Sequence, residues 1–158
     1  MPRWSEVAAS APPFAAAVQA VFDAHVHKTL ATLRADGSPR LSGIEASFND
    51  GEVWFGAMWE SRKALDLRRD PRFELHSGSV DPPEWAADAR IAGRAEEIDD
   101  PERKAATTGA GDGGAAGPFH LFRVEVVEVV HVHLGDPADH LVMEVWRPGQ
   151  ELRRIERR

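Results

Sequence analysis

Two turn sequences, Asp36-Gly37 and Asn49-Asp50-Gly51, divide the stretch 29–58 into three short runs rich in β-branched and aromatic residues. Asp–Gly and Asn–Gly combinations accept the left-handed backbone that tight hairpins require. Strands joined by such short turns pair antiparallel, because a parallel neighbour needs a crossover of about a dozen residues or more. The sequence therefore predicts an antiparallel meander with strands at 29–34, 40–48 and 53–58.

The rest of the chain continues this β-rich pattern with a few short helices. Gly93 lies inside a predicted strand and indicates a bulge or a close backbone approach. In the long β-rich segment 120–134, the alternation of apolar and polar residues changes phase near Val127. This predicts a strand that bends or bulges mid-way. The further predicted strands are 73–77, 89–98, 120–134, 141–146 and 152–155, and the helices are 12–25, 61–69 and 100–107. We expect a mainly β fold, an antiparallel barrel of six or seven strands, since closure removes exposed sheet edges.

The length of 158 residues predicts one domain over 1–158. We expect an irregular lead-in at 1–11 and a flexible glycine-rich loop at 109–117. That loop contains a GxGxxG pattern at Gly109, Gly111 and Gly114. A dinucleotide site needs a strand before this pattern and a helix after it, whereas here a helix precedes it and Pro118 follows, so we reject that interpretation.

Charge and composition exclude several classes of function. The net charge of −7 disfavours nucleic acid as a partner, and the Arg-rich end at 153–158 is interpreted as a solvated tail. The chain has no cysteine, so thiolate nucleophiles and thiolate metal sites are excluded. No apolar run has the length of a membrane helix. We therefore expect a cytoplasmic protein with neither nucleic acid nor membrane as a partner.

Several segments, in this order, resemble the pyridoxamine-phosphate-oxidase-like split β-barrels. They are the hairpin 30–40, the strand 53–58 with the following helix 61–72, and the later strands 93–98 and 120–125. The ending Trp146-Arg147-Pro148-Gly149 is similar to the deazaflavin-using branch of that group. The resemblance implies a homodimer that holds FMN or the deazaflavin coenzyme F-420 in a groove formed by both subunits.

The same resemblance implies the residues of the cofactor site. Ser61, Arg62 and Lys63 are expected to contact the cofactor phosphate. The isoalloxazine ring is expected to lie against two strands, at Ser42, Gly43, Ile44, Ala57 and Met58. The residues themselves support the phosphate contact, because a helix N-terminus has free N–H groups and adjacent cations strengthen anion binding. The true oxidase has a hydroxylated residue near Ala57, and its absence here argues against pyridoxamine-phosphate oxidation.

Hydride transfer takes place on a flavin or deazaflavin ring, so the protein needs only to bind, orient and exclude water. We therefore name no catalytic residue. The expected function is an oxidoreductase that transfers hydride or electrons between the bound cofactor and a small organic substrate. Two alternatives remain: a haem- or flavin-binding storage protein of the same fold without turnover, and a barrel that has lost its site and serves as a scaffold.

Histidine and tryptophan residues offer further candidates. The pairs His25/His27 and His131/His133 each share a face if extended, but no carboxylate accompanies them at a recognisable spacing, so we predict no metal site. The histidine-rich segments could supply an axial ligand to haem. Most tryptophans are interpreted as core or interface residues, with Trp59 and Trp85 as candidates for the groove.

Overall fold

The structure, a computed structural model, describes residues 2–107 and 117–158. The predicted loop at 109–117 therefore lies outside the described residues, apart from Gly117. The helices are α1 (Trp4–Ser10), α2 (Pro12–Asp23), α3 (Arg62–Arg69) and α4 (Pro101–Ala106). The strands are β1 (His27–Leu33), β2 (Pro39–Asn49), β3 (Glu52–Met58), β4 (Arg72–His76), β5 (Ala87–Glu97), β6 (Phe119–Leu134), β7 (Leu141–Trp146) and β8 (Arg153–Arg157).

Six of these strands close into an antiparallel barrel. Their order is β3-β2-β1-β4-β5-β6, and β6 pairs back onto β3 to complete the ring. The turn residues Gly37, Asp50 and Gly51 have φ angles of 83°, 52° and 72°, as the hairpins require. The predicted meander and barrel are confirmed, and β7 and β8 extend the sheet beyond the six strands that close it.

Strand β6 belongs to two parts of the sheet because a bulge divides it. Its pairing with β5 shifts by one residue, so that Ala92 faces Glu128 while Gly93 faces Val126, and Val127 is left over. A Cβ at residue 93 would collide with the backbone carbonyl of Glu125, so only glycine fits there. Before the bulge β6 pairs with β3, and beyond it β6 pairs with β7. The prediction that this strand bends or bulges mid-way is confirmed as a bulge.

The N-terminal segment is helical, so the predicted irregular lead-in is wrong for residues 4–10. Trp4 and Val7, three residues apart, are buried in the main core. The hydroxyl of Ser10 accepts a hydrogen bond of 2.8 Å from the indole N–H of Trp146. The helix exists because these distant contacts bury one of its faces, and its short sequence carries no capping signal that local analysis could detect.

Helix α3 is fixed to the barrel by a buried carboxylate. Asp66 is 3% exposed and accepts hydrogen bonds from Thr32 of β1 and from Arg40 of β2, at 2.8 and 2.7 Å. Arg69, on the same helix, donates to the other carboxylate oxygen at 2.9 Å. These contacts hold α3 against β1 and β2. Among the described residues, no helix is long and apolar enough to span a membrane.

Candidate functional site

Strands β2 and β3 separate at one end, where most of the predicted ring contacts lie. Their pairing runs from Asn49 opposite Glu52 to Ala46 opposite Phe55. The same register would place Gly43 opposite Met58, but the pairing stops before it reaches them. The result is a gap between 42–44 of β2 and 57–58 of β3. We call this gap, together with the start of α3 beside it, the groove.

Lys63 links α3 to the opposite strand of the groove. Its ammonium group donates a hydrogen bond of 2.5 Å to the backbone carbonyl of Gly43. Burial lowers the pKa of Lys63. In an antiparallel strand the N–H and C=O of one residue lie on the same edge, so the Gly43 N–H also faces the gap. The groove therefore offers a backbone donor beside a cation.

Two serine hydroxyls in this region are buried without a hydrogen-bond partner. They are the Oγ atoms of Ser42 and Ser61. Ser61 has the extended backbone of an N-cap residue, with φ −61° and ψ 152°, but its side chain does not cap α3. Buried polar groups are normally paired, so two unpaired hydroxyls beside a helix start suggest a missing ligand. As at the start of any helix, the first N–H groups of α3 have no hydrogen-bond partner within the helix.

The groove opens towards solvent past apolar side chains. A Cβ added at Gly43 would meet no atom within 4 Å, so there is free space beside this residue. Leu41 and Met58 are 72% and 74% exposed, and Trp59 is 47% exposed. Exposed apolar groups of this size around one opening are typical of a surface that another molecule covers.

The turn between β3 and α3 is held by a histidine that sequence reasoning missed. His120 is fully buried, and the indole of Trp59 stacks on it at 4.6 Å between ring centroids. Its Nε2 accepts a 3.0 Å hydrogen bond from the N–H of Glu60, a residue with a φ of 56°. The proton of the ring must then lie on Nδ1, which donates to Glu97 at 2.5 Å. His120 thus fixes the strained turn that positions Trp59 and Ser61.

Glu97 is also held by a cation. Arg68 of α3 donates to both of its carboxylate oxygens, at 2.8 and 2.9 Å. Burial alone raises the pKa of Glu97, but the hydrogen bonds from Arg68 and His120 outweigh it and lower the pKa. The carboxylate therefore stays ionised, and α3 is tied to β5 as well as to β2.

A cavity of about 390 Å³ adjoins the groove between α3 and the β1–β2 turn. Arg40 and Arg69 line it but are paired with Asp66. Arg34 and Arg62 also line it without an ion pair to a described residue, and Asp36, whose pKa is lowered chiefly by hydrogen bonds from Ser38 and also by the charge of Arg34, lies on the same wall. In a chain of net charge −7, the Arg62 guanidinium beside this cavity favours an anionic ligand.

The other predicted residues have structural surroundings. Ile44 and Ala57 are buried in the main core, so they can present only backbone to the groove. Trp54 packs with Ile98 and Leu121, whereas Trp85 is half-buried in the loop between β4 and β5. Trp146 belongs to the main core and anchors α1, so the Trp-Arg-Pro-Gly ending has a structural role here.

Comparison with known proteins agrees with this architecture. The family model for pyridoxamine 5'-phosphate oxidase matches residues 14–133, which is more than half of the chain. None of the curated proteins matches the sequence. Among solved structures, the chain is similar to a pyridoxamine 5'-phosphate oxidase-related, FMN-binding protein from Nostoc punctiforme. The identity is 18% and the TM-score 0.62, with 92% of this chain and 95% of that chain covered.

Two further solved structures are similar at comparable levels. An FAD-binding protein from Mesorhizobium loti has 19% identity and a TM-score of 0.58, with 73% of this chain and 91% of that chain covered. A haem-binding protein from Mycobacterium smegmatis has 20% identity and a TM-score of 0.59, with 98% of this chain and 58% of that chain covered. At these identities the likeness shows the fold alone. The family match, which spans the barrel from α2 to β6, shows more: this chain belongs to the pyridoxamine 5'-phosphate oxidase family.

Proposed function

We propose that this protein is an oxidoreductase that binds FMN or the deazaflavin coenzyme F-420 in the groove. It would transfer hydride or electrons between that cofactor and a small organic substrate. The observation that carries the proposal is the gap between β2 and β3, with Lys63 of α3 bonded to Gly43 of β2 and with the unpartnered hydroxyls of Ser42 and Ser61 beside it. A flavin phosphate needs cations and N–H donors, and a planar ring needs an open slot with backbone donors.

Different residues of the chain would bind the phosphate end and the ring end of such a cofactor. Arg62, Lys63 and the first N–H groups of α3 would hold the phosphate, with the Ser61 hydroxyl as a further donor. The backbone of Gly43 and the side chain of Met58 would lie along the ring. The ring itself supplies the redox chemistry when bound. The protein orients it and keeps water away, which explains why no nucleophile or general base is required in the groove.

We also propose that the protein is a homodimer. The apolar side chains of Leu41 and Met58 flank the groove and are more than two-thirds exposed in the single chain. A second copy that covers them would bury this surface and close the groove around the ring. Light scattering coupled to gel filtration gives the mass in solution. The mass of a single chain of 17.4 kDa at micromolar concentration would contradict this part of the proposal.

Fluorescence titration of the purified protein with FMN, and separately with F-420, tests the proposed function. Both cofactors present a phosphate to the same helix start, and FMN- and FAD-binding proteins are among the similar structures. We expect saturable binding of one of the two with one site per chain. Turnover is then measured with the cofactor that binds. If neither cofactor binds, the proposal is wrong.

A substitution at Gly43 distinguishes a ring-binding groove from a simple surface cleft. Because a Cβ at this position meets no atom within 4 Å and the position faces open space, Gly43→Ala and Gly43→Leu are expected to fold with little change in Tm. The larger side chain would fill the slot for the ring, so we expect Gly43→Leu to weaken cofactor binding by about tenfold or more, and Gly43→Ala to weaken it less. Equal affinities for the wild type and both variants would show that the ring binds elsewhere.

Haem binding without turnover is a second candidate, supported by the likeness of nearly the whole chain to the M. smegmatis haem-binding protein. A histidine of the β6 end or of the segment before β1 would have to serve as the axial ligand. Addition of haemin to the purified protein separates the two candidates. A saturable shift of the Soret band, without affinity for FMN or F-420, would favour haem storage over the oxidoreductase.

A further inference from the structure

The sheet brings together two histidines and a glutamate that are far apart in the sequence. Beyond the bulge, His131 and His133 of β6 point to the same face of the sheet. Glu144 of β7 lies directly opposite His131 in the antiparallel register. The potential ligand atoms of these three side chains all lie within 4.8 Å of one another. The expectation that no carboxylate accompanies this histidine pair is therefore wrong, because β7 supplies one.

His131 has a nitrogen atom without a partner. The residue is 8% exposed, and its buried Nδ1 makes no hydrogen bond. This atom lies 3.6 Å from Oε1 of Glu144, a distance too long for a hydrogen bond. An unpaired buried ring nitrogen that faces a carboxylate is an unusual arrangement unless a third group joins them.

His133 is oriented so that its other nitrogen faces the same carboxylate. Its Nδ1 lies 2.8 Å from the carbonyl oxygen of Leu134, and a carbonyl can only accept, so Nδ1 carries a proton. Its Nε2 lies 3.0 Å from Oε1 of Glu144. Two acceptor atoms at this distance require a proton or a metal ion between them. A backbone carbonyl that fixes the ring through Nδ1 is the usual support of a histidine metal ligand.

We propose that His131, His133 and Glu144 bind a divalent transition-metal ion, for which Zn²⁺ is the appropriate probe. Nitrogen and carboxylate ligands lie about 2.0–2.2 Å from zinc, so ligand atoms separated by 3.0 and 3.6 Å can share one ion. Two histidines and one glutamate form a known three-ligand zinc set that leaves a fourth position open. His133 and Glu144 are 24% and 20% exposed, so this position would face solvent.

The surroundings keep the carboxylate available. Arg154 of β8 is paired in register with Glu144, but its guanidinium lies 3.5 Å from Glu156. The ring of Phe14 from α2 packs against the His131 ring in a T-shaped arrangement, with centroids 6.4 Å apart. An apolar wall behind one ligand and a solvent-facing fourth position resemble a metal site more than an ordinary surface ion pair.

The test uses tag-free protein that has been dialysed against a chelator. Zn²⁺ affinity is measured by competition with a chromophoric chelator, and Co²⁺ is added separately to observe the absorption bands of a four-coordinate ion. We expect one Zn²⁺ per chain and a Tm that rises with Zn²⁺ concentration. The variants Glu144→Gln and His133→Ala are expected to bind about tenfold more weakly or worse and to lose the rise in Tm. His27→Ala, which removes an exposed histidine of β1, is the matched control and is expected to behave as the wild type.

Glu144→Gln keeps the size of the side chain, so it reports on ligation even if His133→Ala does not fold. The absence of saturable binding would overturn the proposal. Binding that is equally strong in Glu144→Gln, His133→Ala and the wild type would also overturn it. The flavin titration is independent of these residues, so the outcome for the groove does not affect this test.

Discussion

The double variant Arg62→Ala/Lys63→Ala is expected to bind FMN or F-420 at least about 100-fold more weakly than the wild type. Both residues lie in the first turn of α3, where they would make charge-assisted contacts to the phosphate. A hydrogen bond to a charged group contributes about 1.5–3 kcal/mol, and two such losses correspond to about 100-fold or more in affinity. The variant also loses the hydrogen bond between Lys63 and the Gly43 carbonyl, which would leave the groove less well ordered. Fluorescence titration measures the change.

The control for this variant removes the same charge from another surface. Arg153 and Arg157 are exposed on β8, and neither forms an ion pair with a described residue. Arg153→Ala/Arg157→Ala is therefore expected to bind the cofactor as the wild type does. If both double variants lost affinity equally, general electrostatic attraction would explain the binding, and the role assigned to the start of α3 would be wrong.

Loss of the Asp66 carboxylate is expected to give the largest change in stability. Asp66→Ala leaves Arg40 and Arg69 without their anion and Thr32 without its acceptor. Removal of one partner of a fully buried ion pair costs about 3–5 kcal/mol. Arg40 and Arg69 are partly exposed, so we expect a smaller loss of about 2–3 kcal/mol and a decrease in Tm of about 5–10 °C. Thermal unfolding followed by circular dichroism provides the measurement.

The same residue predicts a dependence of stability on pH. Burial alone raises the pKa of Asp66, but hydrogen bonds from Arg40, Thr32 and Arg69 outweigh it, so the pKa lies below its usual value. A lowered pKa in the folded state means that the stabilisation is complete above about pH 4 and is lost as the pH falls through the folded-state pKa. The difference in Tm between wild type and Asp66→Ala should therefore shrink in acid. A constant difference down to low pH would show that packing, and not charge, is responsible.

Glu84→Ala is the control for Asp66→Ala. This carboxylate is exposed in the loop between β4 and β5 and forms no ion pair with a described residue. Its removal is expected to leave the Tm unchanged at every pH where the protein folds. A decrease in Tm comparable to that of Asp66→Ala would indicate that net charge, and not the buried network around α3, controls stability.

Local sequence signals predicted the meander because its turns are short and their residue types indicate the turn conformation. Asp36-Gly37 and Asn49-Asp50-Gly51 mark both hairpins, and the structure has left-handed backbone at both. Gly93 indicated the bulge for a similarly local reason, since a strand interior rarely has glycine without a close approach. Helix α1 was missed because its stability comes from tertiary burial of Trp4 and Val7.

The residues of the site show the same difference between local signals, which the sequence contains, and long-range contacts, which it does not. Ser61, Arg62 and Lys63 are adjacent in sequence, so the helix start was visible, but their link to Gly43 depends on how α3 packs across β2. His120 and Glu97 are 23 residues apart and meet only because β5 and β6 pair in one register. Glu144 reaches the histidine pair in the same way, through the pairing of β6 with β7. Spacing along the chain contains no signal for such contacts.

Hydrogen–deuterium exchange with and without the tighter-binding cofactor tests the central claim most directly. The claim is that the gap between β2 and β3, with the start of α3, holds the cofactor. It predicts slower amide exchange at 41–45 and 57–64 on binding, with β8 unchanged. Binding that protects other segments and leaves these two unaffected, or no binding at all, would contradict it.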